Sequence, residues 1–167
     1  MTEPGIVVWL TGLPASGKST LAERVRARLH RPAVVLDSDV MRNVFEAESY
    51  AEVDRDRFYR VLAKLAATLA DQGLVVLVPA TAQLASYRAR ARELAPKFVE
   101  VWVRTPAAEC ARRDTKGLYA RARAGELPTF PGIGSTYEPP AHPEVIAENG
   151  LDDAAATAIV GLVEQRR

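Results

Sequence analysis

An α/β fold, with a mostly parallel five-stranded sheet and helices on both faces, is what the sequence predicts, and three observations predict it. Short apolar runs alternate with amphipathic helical patterns along most of the chain, the order that builds a parallel sheet. A glycine-rich stretch, Gly12 to Thr20 (GLPASGKST), sits between the first apolar run and the first helical pattern. A length of 167 residues suits one hydrophobic core, so 1–167 is expected to form a single domain.

The elements follow in order. Ile6–Leu10 reads as a buried strand, and Ser19–Leu29 as a helix closed by His30-Arg31-Pro32, because Pro32 disfavours helical backbone at Arg31. Ala33–Leu36 is the second strand, followed by a helix over Val40–Glu46, with Ser38 or Asp39 as its expected N-cap. A long helix over Arg57–Asp71 ends at Gly73. Strand Leu74–Val78, helix Tyr87–Leu94, strand Phe98–Val103 and helix Pro106–Arg113 continue the alternation, and a short strand, Val145–Ala147, and a helix over Asp152–Gln165 complete it. Between them, Asp114 to Pro143 carries four glycines and five prolines. A long irregular segment inside a small domain is usually functional, and its aromatics Tyr119, Phe130 and Tyr137 argue for order, so 114–143 is expected to be a lid.

Composition narrows the function classes. A net charge of +1 supplies no electrostatic reason for nucleic acid or membrane as partner. No apolar run reaches the length of a membrane span, and the N-terminus lacks the basic and apolar regions of a signal peptide. The single cysteine, Cys110, cannot pair internally, in keeping with a reducing cytoplasm. Lysine is scarce, at positions 18, 64, 97 and 116 only, and two of those four fall inside the motifs below.

GLPASGKST completes the P-loop pattern G-x-x-x-x-G-K-[ST] in the strand–loop–helix context it requires. Backbone N–H groups of Gly12, Leu13, Pro14, Ala15, Ser16, Gly17, Lys18, Ser19 and Thr20 (Pro14, lacking one, excepted) form a phosphate cradle, helped by the helix dipole. Lys18 is expected at the β- and γ-phosphates and Ser19 on Mg²⁺. The bound species is therefore a nucleoside triphosphate, taken as ATP. No Asn-Lys-x-Asp element for reading guanine occurs, which favours a kinase over a GTPase switch. The second strand runs into Leu36-Asp37-Ser38-Asp39, two carboxylates at the carboxyl edge of the sheet, where open α/β sheets bind ligands. Asp37 is assigned to Mg²⁺ and Asp39 to the acceptor hydroxyl, with Arg42 available for an anionic group on the acceptor.

The run Arg112 to Glu144, RRDTKGLYARARAGELPTFPGIGSTYEPPAHPE, resembles the lid of adenylylsulfate (APS) kinases. That family reads Arg-Asp-x-Lys-Gly-Leu-Tyr, Ala-Arg-x-Gly, Phe-Thr-Gly-Ile-Asp, Tyr-Glu-x-Pro and Pro-Glu there. Arg113, Asp114, Lys116, Gly117, Leu118, Tyr119, Ala122, Arg123, Gly125, Phe130, Gly132, Ile133, Tyr137, Glu138, Pro140, Pro143 and Glu144 match. With the P-loop, Asp37-x-Asp39 and Asp54-Arg55, the likeness spans nearly the whole chain. It implies a P-loop kinase that transfers the γ-phosphate of ATP to the 3′-hydroxyl of adenosine 5′-phosphosulfate, giving PAPS, with Mg²⁺ as cofactor and often as a homodimer. It implies that Phe130 and Tyr50 hold the acceptor's adenine, that Arg42 and Arg55 contact its phosphosulfate, and that Lys116 approaches the reacting phosphates. Arg112 and Arg113 fall either near the ATP base or lid hinge or on a solvated helix end, and Arg113 is counted with the nucleotide site.

Four departures concern mainly the acceptor side. Asp-Gly-Asp-Asn is Asp37-Ser38-Asp39-Val40 here, and an acceptor-binding Asn is Phe58. Phe-Ile-Ser-Pro is missing after the third strand, where Pro79-Ala80-Thr81-Ala82-Gln83 stands, and Thr-Gly-Ile-Asp is Pro131-Gly132-Ile133-Gly134. Thr81 is a candidate for the missing hydroxyl, and Arg88, Arg90 or Arg92 for anion contacts. A kinase for another small-molecule hydroxyl, and a silent nucleotide-binding protein, stay open as alternatives.

Overall fold

The computed structural model describes residues 3–165. Five strands form one sheet: β1 (Ile6–Thr11), β2 (Ala33–Val35), β3 (Val75–Pro79), β4 (Phe98–Val103) and β5 (Val145–Ala147). Their spatial order is β2-β3-β1-β4-β5, and every pairing is parallel. The helices are α1 (Lys18–Arg26), α2 (Ser38–Val44), α3 (Glu52–Asp71), α4 (Ala85–Leu94), α5 (Ala107–Arg113), α6 (Leu118–Arg123) and α7 (Asp153–Gln165).

β1 shows why the sheet is covered on both sides. Alternate residues of a strand point to opposite faces, and all six of its residues are buried. Ile6, Val8 and Leu10 pack with Leu21 and Val25 of α1 and Ile159 and Val163 of α7. Val7 and Trp9 pack on the other face with Phe58, Tyr59 and Leu62 of α3 and Tyr87 of α4. Each such fully buried aliphatic side chain contributes roughly 1.5–3 kcal/mol.

The differences from expectation lie at element ends. α3 begins at Glu52 rather than Arg57, because Glu52 and Asp54 in its first turn suit the positive end of the helix dipole. α1 stops at Arg26, and the chain goes on to Leu29 in tighter turns, Arg28 N–H to Val25 O (3.0 Å) and Leu29 N–H to Arg26 O (3.2 Å). Gly73 does end the long helix, with φ at +94° and its N–H on Ala70 O at 2.9 Å. The 114–143 segment holds α6, unexpected from its composition. Asp114 starts it by accepting from Lys116 N (3.2 Å) and Tyr119 N (2.7 Å). Among the described residues no helix is long and apolar enough to cross a membrane.

Candidate active site

The P-loop begins where β1 ends. A Cβ on Gly12 would stand 2.4 Å from Val103 O and 2.7 Å from Ser16 Oγ, so no larger residue fits there. Gly17 has φ of +98°, and its Cβ would meet Gly150 Cα at 2.7 Å. Thr105 Oγ1 holds the loop from beneath by donating to Ser16 O at 2.6 Å. Lys18 Nζ donates to Gly12 O (3.1 Å) and Leu13 O (2.8 Å), lying back along the loop. Desolvation there lowers its ammonium to about 8, against the opposing fields of Cys110, Asp39 and Asp37.

Asp37 does two jobs at the end of β2. Its carboxylate accepts from Ser19 Oγ, and its Oδ1 accepts from Asp39 N at 2.9 Å, which caps α2. The cap is thus Asp37, one residue before Ser38 and two before Asp39, the caps expected, because its extended backbone points the carboxylate at the first free N–H groups. Asp39 faces the lid, where Lys116 Nζ lies 3.5 Å from its Oδ2. Both side chains of this pair are largely exposed.

These groups border a cavity of about 880 Å³. Pro14, Ala15, Ser16, Gly17, Lys18, Ser19 and Thr20 line it, as do Asp37, Asp39, Arg42, Tyr50, Arg55, Thr81, Arg113, Lys116 and Phe130. Gly12 and Leu13 are not part of that wall. Arg42 donates to Ala47 O (3.1 Å) and Ser49 O (3.3 Å), with its guanidinium 3.9 Å from the Tyr50 ring centre and 4.2 Å from that of Phe58. Arg55 is buried and donates to Thr129 O at 3.0 Å, and desolvation lowers its pKa. Phe130 is buried, edge-on to Tyr119 at 4.9 Å between ring centres, and still borders the cavity. Tyr50 is half-exposed.

The lid is fastened to the P-loop, to the end of β1 and to the loop after β3. Tyr119 Oη donates to Pro14 O at 2.7 Å, Tyr137 Oη and Thr11 Oγ1 share a hydrogen bond of 2.9 Å, and Glu138 N donates to Gln83 O at 2.8 Å. Leu13 packs against the cluster of Cys110, Tyr119, Ala122 and Phe130.

Several expectations are corrected. Arg88, Arg90 and Arg92 supply no contact to the cavity. Arg88 is buried, paired with Glu100 at 3.0 Å and bonded to Ala82 O and Glu138 O; Arg90 pairs with Asp56 at 2.8 Å and Arg92 with Glu144 at 2.7 Å. A chain rich in arginine uses these three to tie α4 to its surroundings. Phe58 is not in the cavity wall: it is buried in the core and serves as a platform for Arg42. Gly134 leaves no room for the family's Asp, since a Cβ there would sit 2.1 Å from Pro128 O. Arg112 is solvated and bonded to Glu109, whereas Arg113 shares that partner at 2.8 Å and reaches the cavity. Sequence reasoning passed over Tyr59, Gln83 and Thr129 in the wall and Gly150 against the P-loop. Only the run Pro79–Gln83 carried any signal, as a departure from the family.

A parallel sheet of this order, a P-loop and acidic residues at its carboxyl edge define a P-loop kinase. The sequence model of the family described as Adenylylsulphate kinase matches residues 4–148. An adenylyl-sulfate kinase of Gloeothece citriformis is 41% identical over 157 residues, covering 92% of this chain and 89% of that protein. A solved structure of the Mycobacterium tuberculosis APS kinase CysC in complex with AMPPNP and APS is 41% identical, with a TM-score of 0.89 over 97% of this chain and 99% of that one. A bifunctional CysN/CysC enzyme of the same organism matches 96% of this chain with 28% of its own length. The chain belongs to the adenylylsulphate kinase family.

Proposed function

We propose that this protein transfers the γ-phosphate of ATP to the 3′-hydroxyl of adenosine 5′-phosphosulfate, producing PAPS and ADP. One observation carries the assignment of roles: Lys116 of the lid meets Asp39 at 3.5 Å beside the P-loop, so the lid cation and the acceptor-side carboxylate converge where the γ-phosphate would lie. The complex of the M. tuberculosis relative with AMPPNP and APS supports both substrates.

The attacking 3′-oxygen forms a bond to the γ-phosphorus while the bond to the β,γ-bridging oxygen breaks, and ADP leaves. Asp39 orients the hydroxyl and takes its proton. Lys18 swings from the Gly12 and Leu13 carbonyls to the phosphate oxygens, where its ammonium offsets their charge. Lys116 exchanges its partner Asp39 for the transferring group and offsets charge in the transition state. Arg42 and Arg55 hold the phosphosulfate, Tyr50 and Phe130 flank the acceptor's adenine, and Thr81 borders that pocket. The P-loop residues and Arg113 hold ATP. The docked lid, 114–143, excludes water that would otherwise hydrolyse ATP.

Mg²⁺ fits the donor set at Ser19 and Asp37, a hydroxyl and a carboxylate already in contact. Among the described residues no group of three or more His, Cys, Asp or Glu side chains is placed to hold a metal ion, so phosphate oxygens and waters would complete its shell. Bound there, the ion would neutralise phosphate charge. Homodimeric assembly belongs to the same proposal, and light scattering reads it. The test of function is chromatographic: purified protein with MgATP and micromolar APS should yield one PAPS per ADP. ADP formation that ignores APS would defeat the acceptor assignment.

A further inference from the structure

The arginines of the cavity wall hold their charge in two ways. Arg113 and Arg121 are paired with Glu109 and Glu126, whereas among the described residues Arg42 and Arg55 have no ion pair. Arg55 is fixed by burial and by Thr129 O. Arg42 is fixed by rings: its guanidinium carbon lies over Tyr50, 3.9 Å from the ring centre, and over Phe58, 4.2 Å from it. The two rings are unequal supports. Tyr50 is 49% exposed on the loop after α2, while Phe58 is 3% exposed on α3, its ring 5.2 Å from that of Tyr59 and 5.9 Å from that of Phe45. Phe58 is therefore the fixed surface. Arg42 lies on it and in turn secures the loop that carries Tyr50, by donating to Ala47 O and Ser49 O.

An arginine side chain has many rotamers, and ordering it only when substrate arrives costs affinity. A carboxylate partner would order the guanidinium, but it would also cancel the charge that has to meet an anion. An aromatic face attracts the cation through its quadrupole and carries no net charge, so the guanidinium is ordered and still unanswered. The charge is felt across the wall: burial does most to lower the pKa of Arg55, and Arg42 pushes it the same way. We propose that Phe58 is a positioning residue of the acceptor site, holding the Arg42 guanidinium ready for the acceptor's anionic group without neutralising it. The inference rests on the reading of APS as acceptor. It gives a role to a position where this chain departs from the family, with a ring outside the cavity wall in place of an acceptor-binding Asn.

The test is a double-variant cycle between Phe58 and Arg42, read as APS binding by calorimetry in the presence of AMPPNP and as kcat and KM in turnover. Phe58→Leu and Phe58→Met, two apolar side chains without a ring, should each weaken APS binding by about three- to tenfold. KM for APS should rise by the same factor, with kcat and AMPPNP affinity unchanged. Arg42→Met should weaken APS further, and adding Phe58→Leu to it should change the affinity by less than about twofold, because no cation is left to hold. Phe58→Tyr keeps the ring face and should keep the native APS affinity, even though its buried hydroxyl lowers the melting temperature. That pairing separates orientation from packing, since the ringless variants lower the melting temperature as well. Losses that multiply in the double variant would overturn the proposal and leave APS as acceptor. So would a Phe58→Tyr protein weakened as much as Phe58→Leu, or ringless variants with native affinity. APS binding without PAPS formation by the native protein would defeat the proposed reaction, with the cycle still decided by binding. Failure of the native protein to bind APS at all would end both.

Discussion

Lys18 should take up a proton when ATP binds, by an amount set by pH. Without nucleotide its ammonium is desolvated and held only by the Gly12 and Leu13 carbonyls, which brings its pKa to about 8. A triphosphate beside it favours the charged form and raises the pKa well above the working range. With a pKa of about 8, the free protein lacks about 0.1 of a proton on Lys18 at pH 7, about 0.5 at pH 8 and about 0.9 at pH 9. Uptake on binding should follow those fractions, and ATP affinity should fall by about tenfold for each pH unit well above 8. Calorimetry with MgAMPPNP in buffers of different ionisation heat reads the uptake directly. Lys18→Arg is the control, since a guanidinium stays charged throughout. Cys110, the other titratable neighbour, is pushed up by burial and stays protonated over most of this range. Uptake that is the same at pH 7 and pH 9, or that survives in Lys18→Arg, would refute the reasoning. The sign for folding is opposite in sense to a paired lysine. Because the folded pKa lies below the unfolded 10.5, charged Lys18 weakens the nucleotide-free fold below pH 8, and that penalty is relieved as pH rises from 8 towards 10.5.

Lys116→Ala should lower kcat at least about a hundredfold while leaving the melting temperature unchanged, because the Asp39 pair it breaks is solvent-exposed; an intact kcat would remove Lys116 from the reaction. Phe130→Leu should raise the KM for APS more than that for ATP and cost about 1–2 kcal/mol of stability through its lost contact with Tyr119; equal changes in both KM values would make the ring purely structural. Gly134→Asp, which restores the family residue, should harm rather than help, because its Cβ collides with Pro128 O. Limited proteolysis should show faster nicking within 114–143, and wild-type resistance in that variant would contradict the close approach.

The sheet was legible because burial on both faces leaves continuous apolar runs such as Ile6–Leu10, which only a covered parallel strand explains. The P-loop was legible because its glycines answer backbone constraints that no other residue meets, as the contacts around Gly12 show. Helix starts were less so. The first turn of α3 lacks a side-chain cap, so only its acidic residues Glu52 and Asp54 mark the boundary, a weaker signal than a capping side chain. Least legible were the partners of arginines. Eighteen of them give many possible ion pairs, and only the fold decides that Arg88 turns inward to Glu100 while Arg55 reaches Thr129 across the lid. Gln83 escaped for a similar reason, since burial of a polar side chain is a property of the assembled wall and not of its neighbours in sequence.

Gly17 and Gly150 stand so close that a methyl group on either would strike the other's backbone: 2.7 Å from Gly150 Cα in one case, 2.6 Å from Gly17 O in the other. A side chain at either position would therefore press on the other. A substitution at Gly150 is silent to any motif search, yet it would push on the loop that cradles phosphate and register as a loss of ATP affinity. Genetic screens for loss of function should therefore return changes in the turn before α7, among residues that no signature of nucleotide binding includes. The sequence constraint imposed by phosphate binding extends to the far end of the chain.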